Sequence, residues 1–285
     1  MKIDSQTKLF IVLLISGWLI LLGVVPLLLL IATSFLTYDQ TNLVRFEFSL
    51  EAYRQLADPV YLKVIWRSLK LAVITTFLCL TLGYPFAWYT ARLSPRWRTA
   101  VLICLMIPFW TNSLVRTYAI RMVLGTQGIL NKSLLYLGII DSPIRMMYTD
   151  YAVVAGLFYL MLPFMILPLY ASIEKLNYQL IEAARDLGAG AVATFRKVIL
   201  PLTLPGIIAG CVMVFVPTMG LFYVASLLGG ARQLLIGNLI QQQFLNARNW
   251  PLGSATSVLL IAVMTIMLAG YGLLAHRLAH GENGK

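Results

Sequence analysis

Charge is what this sequence has least of. Only 12% of its 285 residues are Asp, Glu, Lys or Arg, 60% are hydrophobic, and the mean hydropathy is +0.82. A soluble domain of this length needs far more polar surface to cover its core, so the composition describes a membrane protein. Acids are scarcer than bases, 11 against 22, and none falls inside the long apolar runs. Carriers driven by protons or sodium place ionisable groups in mid-membrane and repeat one half in the other. Neither feature is present here, which disfavours a self-contained secondary carrier.

Other absences remove further classes. No GxxxxGK[ST] phosphate loop occurs, and "GGARQLLIG" (Gly229 to Gly237) has glycines without the Lys-Ser/Thr that would hold phosphate and magnesium. The chain therefore binds no ATP by that route. There is no HExxH helix, no intramembrane aspartate pair and no buried Ser-His arrangement, so a membrane enzyme is disfavoured and no catalytic residue is assigned. Cys79, Cys104 and Cys211 lie inside apolar runs at no metal-ligand spacing and read as small packing residues. His276 and His280 sit in the tail before "HGENGK". No metal site is expected.

What is present is a set of apolar runs. The hydrocarbon layer needs about 20 apolar residues as a helix. Six candidate spans meet that length, at about 9–35, 65–91, 99–124, 151–170, 204–228 and 255–275, within one membrane domain covering 1–285. Pro108, Asn112, Arg116 and Arg121 interrupt the third, which should be broken or kinked. Lys2 and Lys8 precede the first, but its apolar stretch exceeds a signal h-region and no small-residue cleavage site follows, so it is read as a retained span. "RLSPRWR" (Arg92 to Arg98) carries three arginines and no acid, which assigns that connection to the cytoplasm. Both termini and the segment 171–203 then lie on the same side. The net charge of +11 is accordingly a topology signal, and no nucleic-acid partner is implied.

Within 171–203 one stretch breaks the apolar pattern: "LIEAARDLGAG", Leu180 to Gly190. Asn177 is suited to cap a helix with Leu180, Ala183, Ala184 and Leu187 on one face and Glu182, Arg185 and Asp186 around the rest. Gly188 and Gly190 supply a stop where φ is positive, and a second short helix from about Ala191 to Leu200 should end at Pro201. Two short helices at a sharp bend are too small to fold alone. Thin alanines and rim carboxylates suit a partner's groove better than a lipid surface, which would call for a basic face with large apolar anchors.

"EAARDLGAGAVATFRKVILP" (Glu182 to Pro201) resembles the EAA loop of ATP-binding-cassette (ABC) importer permeases, whose pattern is E-A-A-x-x-x-G, nine residues, then I-x-L-P. Glu182, Ala183, Ala184, Gly188, Leu200 and Pro201 match, and Val198 stands where the pattern has Ile. Together with "TSFLT", "GYPFAW", "IPFWTNSLVRTYA", "PLYASIEKLNYQL", "LPLTLPGIIAGC" and "NWPLGSATS", nearly the whole chain is similar to the permease subunits of bacterial spermidine/putrescine importers. The resemblance implies an all-α type I permease fold of six transmembrane helices with a cytoplasmic coupling helix, in the bacterial inner membrane. It implies a second permease, two copies of a cytoplasmic ATPase that uses ATP and Mg, and a periplasmic binding protein, with membrane lipid around the spans. No cofactor is bound by this chain. The alternative cargo is another small solute, such as an amino acid derivative, an opine or an organophosphonate.

A polycation can be held by aromatic faces. Candidates to line the path are Trp110, Asn112, Tyr118, Tyr159, Phe164, Phe222 and Tyr223, with Trp110 and Asn112 directly after Pro108. Arg116 and Arg121 are read as snorkelling to headgroups or pairing with a loop acid.

Overall fold

The computed structural model describes residues 13–39, 41–230 and 234–281. Lys2, Lys8, Arg232, the first residues of the expected first span and the end of "HGENGK" lie outside them, as do the side chains of His276 and His280. The chain forms two compact units, one of residues up to Lys63 with Leu239–Val263, the other of Val64–Asn238 with the segment from Met264.

In chain order the elements are α1 (Leu13–Ser34), β1 (Leu36–Asp39), β2 (Leu43–Phe48), α2 (Glu51–Leu56), α3 (Pro59–Arg92), α4 (Pro95–Met106) running into a 3₁₀ turn (Ile107–Trp110), α5 (Ser113–Leu124), α6 (Ile129–Tyr136) and α7 (Asp150–Glu174). There follow α8 (Tyr178–Asp186), α9 (Ala191–Gly220), α10 (Phe222–Val224) with a π turn (Ala225–Gly229), α11 (Ile236–Leu245) and α12 (Trp250–Gly281). Among the described residues five helices are long and apolar enough to cross a membrane, or six if the bent pair around Pro108 counts as one span.

In the first unit, α1 buries none of its most apolar window against this chain. A helix apolar all round and uncovered by its own fold is solvated by lipid or by a partner's helices. The single sheet among the described residues is the antiparallel β1–β2 ribbon. Its turn is held by Thr41, whose hydroxyl and N–H both donate to the Asp39 carboxylate at 2.6 and 2.8 Å, which keeps that acid below the usual carboxylate range. Ala52 and Leu56 of α2 pack on Leu252 and Ala255 of α12.

The second unit is organised around α7. Leu157, Leu160, Met165, Ile166, Leu169 and Ile173 are fully buried, along a helix that tolerates Pro163 and Pro168 because neighbours surround it. Helix α9 lies directly on α7. A Cβ at Gly206 would sit 2.4 Å from Ser172 Cβ and 2.7 Å from the Pro168 carbonyl oxygen, and one at Gly210 would sit 2.7 Å from Met165 Sδ. These two glycines are four apart, the small-xxx-small spacing that lets membrane helices touch backbone to backbone. On another side of α7, Gly156 receives Leu228 of the π turn, where an added Cβ would meet the Leu228 methyl carbon at 2.3 Å.

Ion pairs brace both ends of α7. Asp150 accepts from Arg67 of α3 at 2.6 Å, and Glu174 from Arg98 of α4 at 2.9 Å. Both are partly exposed, so they orient helices more than they stabilise them.

One span breaks where the sequence predicts and another is redrawn. The third bends by 95° between Pro95–Trp110 and Ser113–Tyr136. The fifth, expected at 204–228, begins at Ala191 and ends at Gly220, where Leu221 takes φ −75° and ψ 68° and stops the helix. Phe222–Gly229 is a separate segment, tied down by Asn238, which donates to the Phe222 carbonyl at 2.9 Å and the Ser226 hydroxyl at 2.7 Å. Local hydropathy cannot see this break, because the residues on both sides are equally apolar.

Candidate functional site: the coupling element and the broken third span

The stretch 177–201 folds as a helix, a tight reversal and a longer helix. Asn177 caps α8 by accepting the Gln179 N–H at 3.0 Å. At the other end Ala189 N–H donates to the Ala184 carbonyl at 3.0 Å and Gly188 N–H to the Arg185 carbonyl at 2.8 Å, the paired bonds of a Schellman stop. Gly188 holds φ +82°, a conformation that side chains disfavour, and no atom lies within 4 Å of where its Cβ would be. Backbone strain alone therefore selects glycine there. Gly190 departs from expectation: its φ is −66°, and it begins α9 with its carbonyl accepting from the Thr194 hydroxyl at 3.1 Å.

The expected short second helix ending at Pro201 is not what forms. Helix α9 runs unbroken for 30 residues, which is about 45 Å at the α-helical rise, and carries Leu200 and Pro201 inside it. Proline is accommodated because the preceding turn, Phe195–Ile199, is a π turn in which Leu200 N–H reaches back to the Phe195 carbonyl. The widened turn makes room for the ring. Proline read from sequence signals a stop; here the register change absorbs it.

The face of α8 is also redrawn. Leu180 is 48% exposed, Leu187 is 89% exposed, and Ala183 and Glu182 are exposed as well. Ala184 is half-buried. The anchoring side chain is Ile181, which joins the core with Leu176 and Ile199. Ile181 lies outside the face expected from the sequence, although its position three residues before Ala184 places it on the inward stripe. Behind the element, Phe195 packs edge-on to Tyr84 of α3 at 5.8 Å, and the Tyr84 hydroxyl meets the Thr203 hydroxyl of α9 at 3.1 Å. The "GYPFAW" stretch thus meets the base of the coupling element.

The residues expected to line a path are only partly brought together. Asn112 caps α5, its side chain accepting from Leu114 N–H at 2.8 Å, and the preceding Thr111 is extended, which produces the bend. Trp110, 84% exposed, projects from that bend, while Tyr118 and Tyr159 are exposed and make no ring contact among the described residues. Phe222 and Tyr223 pack edge to face at 5.9 Å. Phe164 packs edge-on against Phe109 at 5.1 Å, and Phe109 was not among the residues singled out. The expectation for Arg116 and Arg121 is corrected in one respect: no described carboxylate lies within the 4.0 Å limit of an ion pair to either. Arg116 instead stacks its guanidinium over Phe109, 5.1 Å from the ring centroid. Of the three cysteines, all free, Cys79 is buried and Cys211 half-buried, but Cys104 is exposed.

Residues 83–280 match the family described as binding-protein-dependent transport system inner membrane component. The chain belongs to this family. It is 53% identical over 271 residues to the spermidine/putrescine transport system permease protein PotB of Salmonella typhimurium, covering 95% of this chain and 94% of that protein. The Escherichia coli protein of the same name is 55% identical over 257 residues, 90% and 94% of the two chains. Among solved structures, a bacterial ABC transporter that imports the acidic polysaccharide alginate superposes with a TM-score of 0.77 at 16% identity, covering 96% of each chain. That likeness bears on the fold alone, which is the type I ABC importer permease fold. A multi-pass inner membrane protein of this family is a transport subunit and no enzyme.

Proposed function

We propose that this chain is the permease subunit of an ATP-driven importer of polyamines, receiving force from a separate ATPase through α8. The observation that carries the coupling role is the exposed face of Ala183 and Leu187 on a helix rooted in the core by Ile181 alone. A face so apolar at the tip of a helical hairpin is a seat for another protein. Glu182 orients the contact, Ala183 and Ala184 keep it thin, and Gly188 makes the reversal. Leu200 and Pro201 lie where the hairpin passes into the span. The relatives named for spermidine and putrescine support a polyamine cargo.

In this reading the coupling element, the Arg92–Arg98 connection and both termini face the cytoplasm, following the positive-inside rule. A second permease closes the path, since one chain's helices cannot enclose it. Two ATPase copies, using ATP and Mg, close beneath the pair, and a periplasmic binding protein delivers the solute. Closure pushes α8, and α9 carries the displacement into the bundle as a rigid rod.

Replacing Ala183 with Trp in the assembled complex tests the seat. The expected result is a permease pair that still assembles but copurifies with about tenfold less ATPase or worse, the scale of a central contact residue. Undiminished copurification, or full-speed transport by permeases without any ATPase, overturns the reading.

A further inference from the structure

Among the described residues, no carboxylate lies within ion-pair reach of Arg116. The arginine sits in the first turns of α5, just past the 95° bend, with its Nε buried and without a hydrogen-bond partner. Its one described contact is the face of Phe109, which lies before the bend, and Phe109 in turn packs edge-on against Phe164 of α7. The guanidinium therefore ties three pieces together: the end of the third span's first half, the start of its second half, and the central helix.

Its Nε is buried and unbonded while the residue as a whole is only half-buried, and a single aromatic face compensates such a partly desolvated guanidinium weakly. A ring face held so weakly is open to exchange with another cation. The ring face is also what an ammonium group would use.

We infer that Arg116 is a resident cation that latches the broken third span against α7 while the path is empty, and that a transported cation opens the latch by taking over the face of Phe109. Arg116 is then a specificity-determining residue, because only a positively charged solute competes with it. The latch itself rests on the transporter reading, and the identity of the displacing cation rests on the polyamine reading.

The test uses the complete complex, two permeases with ATPase and binding protein, in lipid nanodiscs. Arg116→Gln removes the charge. Phe109→Leu removes the ring face and leaves the charge. Each should raise ATP hydrolysis in the absence of loaded binding protein by about two- to thirtyfold, the factor such a contact contributes to a two-state equilibrium. The double variant should go no further than either alone, and Arg116→Lys should fall between Gln and wild type. Hydrolysis at the wild-type rate in Phe109→Leu overturns the latch, as do single effects that multiply in the double variant. If Arg116→Gln fails to assemble, Phe109→Leu decides alone. Spermidine added without binding protein should stimulate the wild type and leave Arg116→Gln unchanged; stimulation by a small anion instead overturns displacement by a cation. Failure of the polyamine reading is seen separately, as absence of spermidine uptake by the wild-type complex with the variants' raised hydrolysis intact.

Discussion

The two ends of α9 are built on opposite plans. At Gly206 and Gly210 the helix touches α7 backbone to backbone, with no room for a single added carbon. Around Ala191 and Val192, and in the α8 hairpin that precedes them, side chains stand exposed and only Ile181, Thr194 and Ile199 are buried. Both ends are rich in small residues, yet one is sealed and the other, which carries Glu182, Arg185 and Asp186, is open. The proposed coupling role would use that asymmetry: a fulcrum that cannot slip and a handle that a partner can grip. Small residues serve both purposes, because the same absent side chain that lets α7 approach at one end leaves a shallow seat at the other.

Filling the fulcrum should do the most damage. Gly206→Leu places a branched side chain where Ser172 and the Pro168 carbonyl already stand, and overpacking of this kind costs about 1–3 kcal/mol and often more. The expected outcome is loss of folded permease, measured as monodisperse yield from detergent extraction. A fully folded, transport-competent variant would mean that the contact is looser than described and the fulcrum lies elsewhere.

The hairpin should respond differently. Gly188→Val meets no steric neighbour but must adopt φ +82°, at about 1–2 kcal/mol of backbone strain. The protein should fold, while substrate moved per ATP hydrolysed falls. Gly188→Asn should recover most of the coupling, since Asn tolerates that conformation. Equal transport ratios for Val and Asn would break the assignment of strain as the cause.

The smallest effect is expected at the brace. Arg98→Gln removes the 2.9 Å pair with Glu174 at the end of α7 nearest the hairpin. With both side chains about a third exposed, the loss should be about 1 kcal/mol or less, read as a small shift in the thermal unfolding of the purified complex. A large loss would make this pair part of the lever.

Much of this was legible in the residues. The helix cap at Asn177, the left-handed Gly188 and the bend after Pro108 follow from local chemistry, because a carboxamide, a missing Cβ and a missing N–H act within a few residues. Pro201 shows the limit of such signals: the stop it predicts is cancelled by a π turn over Phe195–Ile199, in which Phe195 meets Tyr84 and Ile199 joins the core. Aromatics near a break mark a path only loosely, for the arrangement joins Phe164 to Phe109 and leaves Trp110 and Tyr118 apart. No periodicity announces which rings will meet across helices. The glycine pair at 206 and 210 was readable, since its spacing is itself the packing motif.

By itself, then, the sequence determined that the chain spans a membrane, where it bends locally, and that a capped, charge-bearing helix with a left-handed stop interrupts the apolar runs, since hydropathy, capping and positive φ are properties of neighbouring residues. Only the tertiary structure decided where α9 begins and ends, that Ile181 and not Leu180 or Leu187 roots the hairpin, and that Arg116 finds a ring and no acid. Those outcomes depend on which surfaces meet at a distance along the chain, and in lipid, where apolar faces are all equally content, that is decided by fit between helices and no longer by hydrophobicity.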